Sequence, residues 1–151
     1  MTITIRPATQ ADEEAVLDLI EELFVAPGAR PPHYRVDDAR EAIQRTISSE
    51  HSDILLGVDG DTVIGMLALY VDFLMIRYGL RCWLEDFVVL PSERSRGAGR
   101  ALLEAATVWA RTHGCTHIQL NSFNARKDAH RFYVANGMTQ DSFSFNLHID
   151  G

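Results

Sequence analysis

Cysteine is scarce. The chain has two in 151 residues, Cys82 and Cys115, and they do not form a Cys-x-x-Cys pair. Two such residues make no disulfide framework, so a reducing, cytoplasmic setting is the expectation. Long apolar runs are missing too. The longest, Val63 to Ile76, is broken by Gly65 and Asp72, short of the ~18 uninterrupted residues of a membrane span. The opening Met-Thr-Ile-Thr-Ile-Arg has no basic region followed by a long apolar one, so no signal peptide is expected. Positive charge is in deficit: 14 Lys and Arg stand against 21 Asp and Glu, a net charge of −7. Such a chain is a poor overall match for nucleic acid or an anionic membrane, though one local basic site remains open to it. Internal repeats and low-complexity stretches are absent.

What is present suffices for one core. A length of 151 residues fits a single domain, 1–151, with no linker in it. Thr2–Arg6 alternates β-branched residues and reads as a strand ended by Pro7. Thr9 suits a helix N-cap, and Val16, Leu19, Ile20, Leu23 and Phe24 then share one helical face. Four residues, Pro27, Gly28, Pro31 and Pro32, make 26–36 a loop. A second helix is expected to start near Asp37 or Asp38, with Glu41 in capping-box spacing from Asp38. Asp53–Val58, Asp59-Gly60 and Thr62–Phe73 read as a β-hairpin, and Arg81–Leu90 as a further strand closed by Pro91. Gly97–Thr112 reads as a helix with Gly114 at its C-terminal cap, Cys115–Asn121 as a strand, and Ala125–Ala135 as a helix ended by Asn136 and Gly137. Asp141–Ile149 alternates Phe143, Phe145 and Leu147 and is expected to be a last strand. The fold class is therefore mixed α/β, in the order β-α-α-β-β-β-α-β-α-β, largely antiparallel in its N-terminal part.

The segment with the most chemical content is Arg94-Ser-Arg-Gly-Ala-Gly-Arg100, between a strand end and a helix start. First-turn amides there have no intrahelical partner, and the helix dipole is positive at that end. Gly97 and Gly99 let a phosphate approach the backbone, and Arg94, Arg96 and Arg100 add charge offset locally by Glu93. No Gly-Lys-Ser/Thr follows, so it is not a Walker A loop, and the third glycine of GxGxxG is missing. The alternation His113, Cys115, His117 crosses a helix end into a strand without a fourth ligand nearby, so no metal site is expected.

Arg94-x-x-Gly97-x-Gly99 resembles the Gln/Arg-x-x-Gly-x-Gly/Ala signature of the GNAT superfamily of acetyl-CoA-dependent N-acetyltransferases. Downstream, Asn124 and Ala129-His-Arg-Phe-Tyr133-x-x-x-Gly137 resemble that family's second motif, with Met138 where Phe is common. The resemblance implies a central sheet splayed where acetyl-CoA binds. The CoA pyrophosphate would lie on the amides from Arg96 through Ala98 to Arg100. The pantetheine arm would run along Glu85–Val89, with Phe87, Val88 and Val89 as its backbone partners. Asn124 would contact the arm, and Tyr133 would stand near the sulfur as the acid for the leaving thiolate.

The chemistry sets its own demands. An alkyl amine with a pKa of about 10.4 is nearly all protonated at neutral pH, so an acceptor needs a base. The stretch Trp83-Leu-Glu-Asp-Phe-Val-Val-Leu would put Glu85 and Phe87 on one strand face and Asp86 and Val88 on the other. Leu-Glu-Asp-Phe is similar to the polyamine acetyltransferases, which implies Glu85 as the base; Asp86 beside it is a candidate substrate contact. Val63-Ile-Gly-Met, Val88-Val-Leu-Pro and Asp128-Ala-His-Arg-Phe-Tyr are similar to the aminoalkylphosphonate N-acetyltransferases, which implies an acceptor bearing an anion. Tyr70, Asp72, Glu85 and Asp86 suit a cation; Arg30, His33 and Arg35 suit an anion. The expected activity is acetyl transfer to a primary amine of a small molecule. A protein or peptide amine and a non-catalytic CoA-binding module stand as alternatives. The apolar edges of the 143–147 strand and of the strand to Phe73 lead to an expected homodimer.

Overall fold

The computed structural model describes residues 2–73 and 75–149. The chain forms two compact units, one ending at Leu120 and the other beginning at Asn121.

The first unit is built on one five-stranded sheet. β1 (Ile3–Pro7), β2 (Ser52–Asp59), β3 (Thr62–Asp72), β4 (Arg81–Val89) and β5 (His117–Gln119) lie side by side in chain order. The first four are mutually antiparallel, and β5 runs parallel to β4. The β2–β3 turn is as tight as Asp-Gly promises: Asp59 pairs with Thr62, and Gly60 takes φ +60°. Three helices accompany the sheet: α1 (Glu13–Phe24), α2 (Val36–Ser48) and α3 (Ala98–Thr112).

One buried cluster joins Val16, Leu17 and Leu19 of α1 and Ile43 of α2 to Ile54, Leu56, Val58, Met66 and Val88 of the sheet. The thin apolar stripe of α2 is enough because only Ile43 is fully buried there. Buried residues of opposite pleat, such as Leu55, Leu67 and Leu84, accompany Leu102, Leu103, Ala106 and Ala110 of α3. At Gly65, β3, β4 and α3 approach closely. A Cβ there would lie 3.0 Å from the Val88 carbonyl oxygen and 3.3 Å from Leu102.

The expected elements form with shifted ends. α2 starts at Val36 with Arg35 as its cap and no capping bond from Asp38, which pairs instead with Arg35 at 3.8 Å. Arg35, being extended, lets Asp37 and Asp38 enter the first turn, where the helix dipole favours them. β5 shortens to three residues.

The second unit contains α4 (Lys127–Ala135), which ends at Asn136 with Gly137 at φ +91°. The expected strand over 141–149 does not form among the described residues. Alternation supplies the faces of a strand, but a strand also needs a neighbour to take its backbone bonds, and this segment has none in the sheet.

Candidate active site

The register of β3 against β4 slips in the middle. Met66 faces Val88 and Ala68 faces Glu85, so Leu67 stands opposite the two residues Asp86 and Phe87. This is a β-bulge, and Asp86 carries it in the left-handed region at φ +50°. The simple alternation expected along Glu85–Val88 is therefore broken. Glu85 and Val88, an odd number of residues apart, end on the same side as their partners Ala68 and Met66.

The bulge puts Glu85 and Asp86 into the wall of one open cavity of about 370 Å³. Ala68, Leu69 and Tyr70 of β3 line it, together with Ser52 of β2 and Arg45 and Thr46 at the end of α2. Glu85 accepts a hydrogen bond from the Trp83 indole Nε1 at 2.5 Å. Asp86 keeps part of its surface open, yet desolvation, helped by the neighbouring Glu85 charge, pushes its carboxyl up to about 6. Burial raises the Tyr70 phenol as well, with Glu85 and Asp72 adding to the shift.

Sequence reasoning named Tyr70, Glu85 and Asp86, and the cavity gathers all three. It also named Asp72 and Arg30, which do not line it. Asp72 pairs with Arg81 across the β3–β4 ladder, and Arg81 also donates to Gln119 Oε1 at 2.8 Å. Arg30 donates to Glu21 at 2.5 Å and lies over the rings of Phe24 and Tyr34, 4.8 and 5.4 Å from their centroids. Three lining residues were missed: Arg45, Thr46 and Ser52. They reach the cavity only through the packing of α2 on β2, and no local motif marks them.

On its other edge, among the described residues, β4 pairs with β5 at Arg81, Cys82 and Trp83 only. The ladder stops there, although β4 continues to Val89. Past Val89, a 3₁₀ turn at Pro91–Glu93 leads into the glycine turn and the start of α3. Ser95 has φ +66° and Gly97 φ +90°. Gly97 is the helix N-cap, and a Cβ built on it meets nothing within 4 Å. The turn is thus an open concavity at a positive helix end.

Its arginines are more constrained than their number suggests. Arg96 bonds to Asp59 at 3.0 Å and to Glu93. Arg100 bonds to Glu104 at 3.0 Å, and Arg94 Nε donates to the Val89 carbonyl at 3.2 Å. Two of the three charges are partly compensated, and Arg96 ties the turn to the end of the β2–β3 hairpin. The site fits the diphosphate of a CoA in its open backbone and left-handed turn, with guanidinium groups at its border. The histidines passed over as metal ligands have other contacts: His113 stacks on Trp109 at 3.7 Å and His117 meets Tyr78 edge-on at 5.5 Å.

In the second unit, Tyr133 sits on α4, where burial pushes its phenol up against the opposing pull of Arg126. The phenol stays protonated at neutral pH. Asn124 lies in the turn that precedes α4.

A strand whose pairing with the next stops midway, followed by a glycine turn on a helix start, is the arrangement that the resemblance to the CoA-dependent acetyltransferases implied. The chain belongs to the acetyltransferase (GNAT) family, whose model matches residues 14–138. It is an acetyl-CoA-dependent N-acetyltransferase.

Among relatives, it is similar to the aminoalkylphosphonate N-acetyltransferase of Salmonella typhimurium, 29% identical over 93% of this chain and 88% of that one. The uncharacterized N-acetyltransferase YhdJ of Bacillus subtilis is 36% identical over 64% of this chain and 68% of its own length. Among solved structures, a transcriptional regulator from Bacillus halodurans superposes with a TM-score of 0.82 at 26% identity, over 98% of this chain and all of that one. The aminoglycoside acetyltransferase AAC(6')-Iy, in complex with a bisubstrate analogue built on CoA, shares the fold with a TM-score of 0.83 at 19% identity over both whole chains.

Proposed function

We propose that the enzyme acetylates a primary amine of a small cationic molecule, in the cytoplasm, as a single catalytic domain that forms homodimers. The observation that carries the acceptor class is the pair Glu85 and Asp86 in one cavity wall, with Tyr70 beside them. The arginines that would favour an anion are engaged elsewhere: Arg30 by Glu21 and Arg35 by Asp38. Cys82 and Cys115 are unpaired thiols, which suits a reducing compartment.

In this reading Glu85 takes the proton that the acceptor ammonium must lose, and Asp86 holds the charge beside it. Above a pH of about 6 Asp86 is ionised, and its charge beside Glu85 draws an ammonium into the cavity. The turn from Arg94 to Arg100, with Gly97, Ala98 and Gly99 at its centre, holds the CoA diphosphate. The backbone of Phe87, Val88 and Val89 aligns the arm that carries the acetyl group, with a strand amide as donor to the thioester oxygen. Asn124 contacts the arm, and Tyr133 returns a proton to the leaving sulfur. The bonds balance: the nitrogen gains the acetyl carbon and loses two protons, the first to Glu85 and the second to the Tyr133 phenolate, which forms when Tyr133 gives its own proton to the sulfur as the carbon–sulfur bond breaks.

A second reading has its own support. The Salmonella relative acts on aminoalkylphosphonates by name, and Arg45 stands at the cavity wall. Thiol release from acetyl-CoA, measured across diamines, aminoglycosides and aminoalkylphosphonates, separates the two. Turnover confined to the anionic acceptors would overturn the cationic reading, and thiol release with no acceptor in the panel would remove the small-molecule assignment.

A further inference from the structure

Ahead of its bulge β4 is a regular strand, so Arg81, Trp83 and Glu85 fall on one face. The β3 residues opposite them are Asp72, Tyr70 and Ala68. Side chains along this face form a continuous chain of contacts. Asp72 pairs with Arg81, whose Nη1 also donates to Gln119 Oε1 at 2.8 Å. The Arg81 guanidinium lies over the Trp83 ring, 5.0 Å from its centroid. The Trp83 indole Nε1 in turn donates to Glu85 Oε1 at 2.5 Å. Glu85 lines the cavity, whereas Trp83 does not.

We propose that Trp83 is a positioning residue for the Glu85 carboxylate, holding Oε1 so that Oε2 is presented to the acceptor ammonium. The proposal rests on the reading of Glu85 as the base and says what aims it. Glu85 needs such a hold. It is exposed, and a glutamate has several rotatable bonds, so unheld it would sample many positions. Its cross-strand neighbour, Ala68, offers a single methyl group. Proton removal requires an oxygen within roughly 2.6–3.2 Å of the ammonium, and a misplacement of about 1 Å can cost on the order of 10²-fold in rate.

The indole suits this task. It is a donor only, so it holds one oxygen without competing for the proton that Glu85 receives. Its ring is a rigid plate with Arg81 over one face. A cation there draws ring electron density toward itself, which makes the N–H a better donor. Arg81 is placed for this stacking at some expense to its own bonding, since its Nε is buried without a hydrogen-bond partner. Asp72, expected from the sequence to contact the acceptor, takes a different part: it anchors the arginine that covers the indole.

The test is a double-mutant cycle on the full-length protein, with whichever diamine, aminoglycoside or aminoalkylphosphonate of the panel above is turned over. Trp83→Phe keeps an aromatic face under Arg81 and deletes the donor. Its single-turnover rate should fall roughly 10- to 100-fold, with the acceptor KM little changed, because Trp83 does not line the cavity. The deficit should shrink at pH 9–10, where more of the amine is already neutral. It should vanish in a Glu85→Gln background, which has no base left to aim. Site-specific replacement of Trp83 by its benzothiophene analogue, sulfur in place of the N–H, repeats the measurement with the packing preserved. A wild-type rate in both replacements, with Glu85→Gln impaired, would overturn this proposal and leave Glu85 as the base. A deficit equally large beside Glu85→Gln, or constant across pH, would show that Trp83 acts only through packing and would overturn it too. An unimpaired Glu85→Gln would overturn the base reading and this proposal together.

Discussion

Glu85 and Asp86 are consecutive residues of one strand, yet both line the same cavity. The left-handed backbone at Asp86, φ +50°, makes this possible. Side chains in a regular strand alternate between faces, and the bulge opposite Leu67 suspends the rule for one residue. Two carboxyls are thereby held side by side, and their mutual repulsion is built into the folded state.

That repulsion has a consequence for stability. Asp86 is raised in the fold to about 6, above its ordinary value of 3.8. Between those values the folded chain binds more protons than the unfolded one, so stability falls as pH rises through the window. Above about pH 6 the full cost of the ionised Asp86 is present. Asp86→Asn removes it. We expect its Tm to exceed that of the wild type at pH 7–8, with the gain vanishing toward pH 4, while activity falls. Equal Tm differences at pH 4 and pH 8 would show that Asp86 carries no such cost.

Gly97 lends itself to a graded test. Its φ of +90° disfavours any side chain, though a Cβ there meets no atom. Gly97→Ala should lower the stability by the backbone term alone, roughly 1–2 kcal/mol, and still bind CoA. Gly97→Glu adds bulk and negative charge where the diphosphate is proposed to lie. It should abolish the CoA-induced thermal shift, which for the wild type at a hundredfold excess over Kd corresponds to about 2.7 kcal/mol. A full shift in Gly97→Glu would move the diphosphate elsewhere.

Tyr133→Phe keeps the ring and deletes the hydroxyl. If the phenol protonates the leaving sulfur, kcat should fall on the order of 10²-fold with little change in CoA affinity. Single-turnover rates are the measurement, so that slow product release does not mask the step. An unchanged rate would leave Tyr133 a packing residue beside Phe132, whose ring lies 5.7 Å away.

The glycine turn, the hairpin and α3 were legible in the sequence because their signals are local: Asp59-Gly60 for a tight turn, Gly97 at a helix start, apolar spacing from Ala101 to Trp109. The bulge was not. Leu-Glu-Asp-Phe reads the same whether or not β3 offers one residue fewer, and only the register of Met66 and Ala68 reveals it. The same holds for Asp72, whose commitment to Arg81 is a cross-strand contact between residues nine apart. Arg45, Thr46 and Ser52 meet the cavity through tertiary packing that no spacing encodes. The 141–149 segment shows the converse case: its periodicity was read correctly, but a strand depends on a neighbour that periodicity does not supply.

The acceptor and its base can be tested together through pH. Glu85→Gln keeps the shape and the contact with Trp83 while removing the basicity. Activity should drop, and the drop should shrink at pH 9–10, where more of the amine is already neutral and needs no base. The wild-type rate should also decline as pH falls through about 6, when Asp86 takes up a proton. Replacing Asp86 with Asn should remove that acid limb and raise KM for a diamine while leaving an aminoalkylphosphonate unharmed. The contrast separates two roles: charge on the acceptor governs KM, and proton removal governs the pH dependence of kcat. The same relative activity of Glu85→Gln at every pH would exclude Glu85 as the base, leaving Asp86 or a bound water to take the proton.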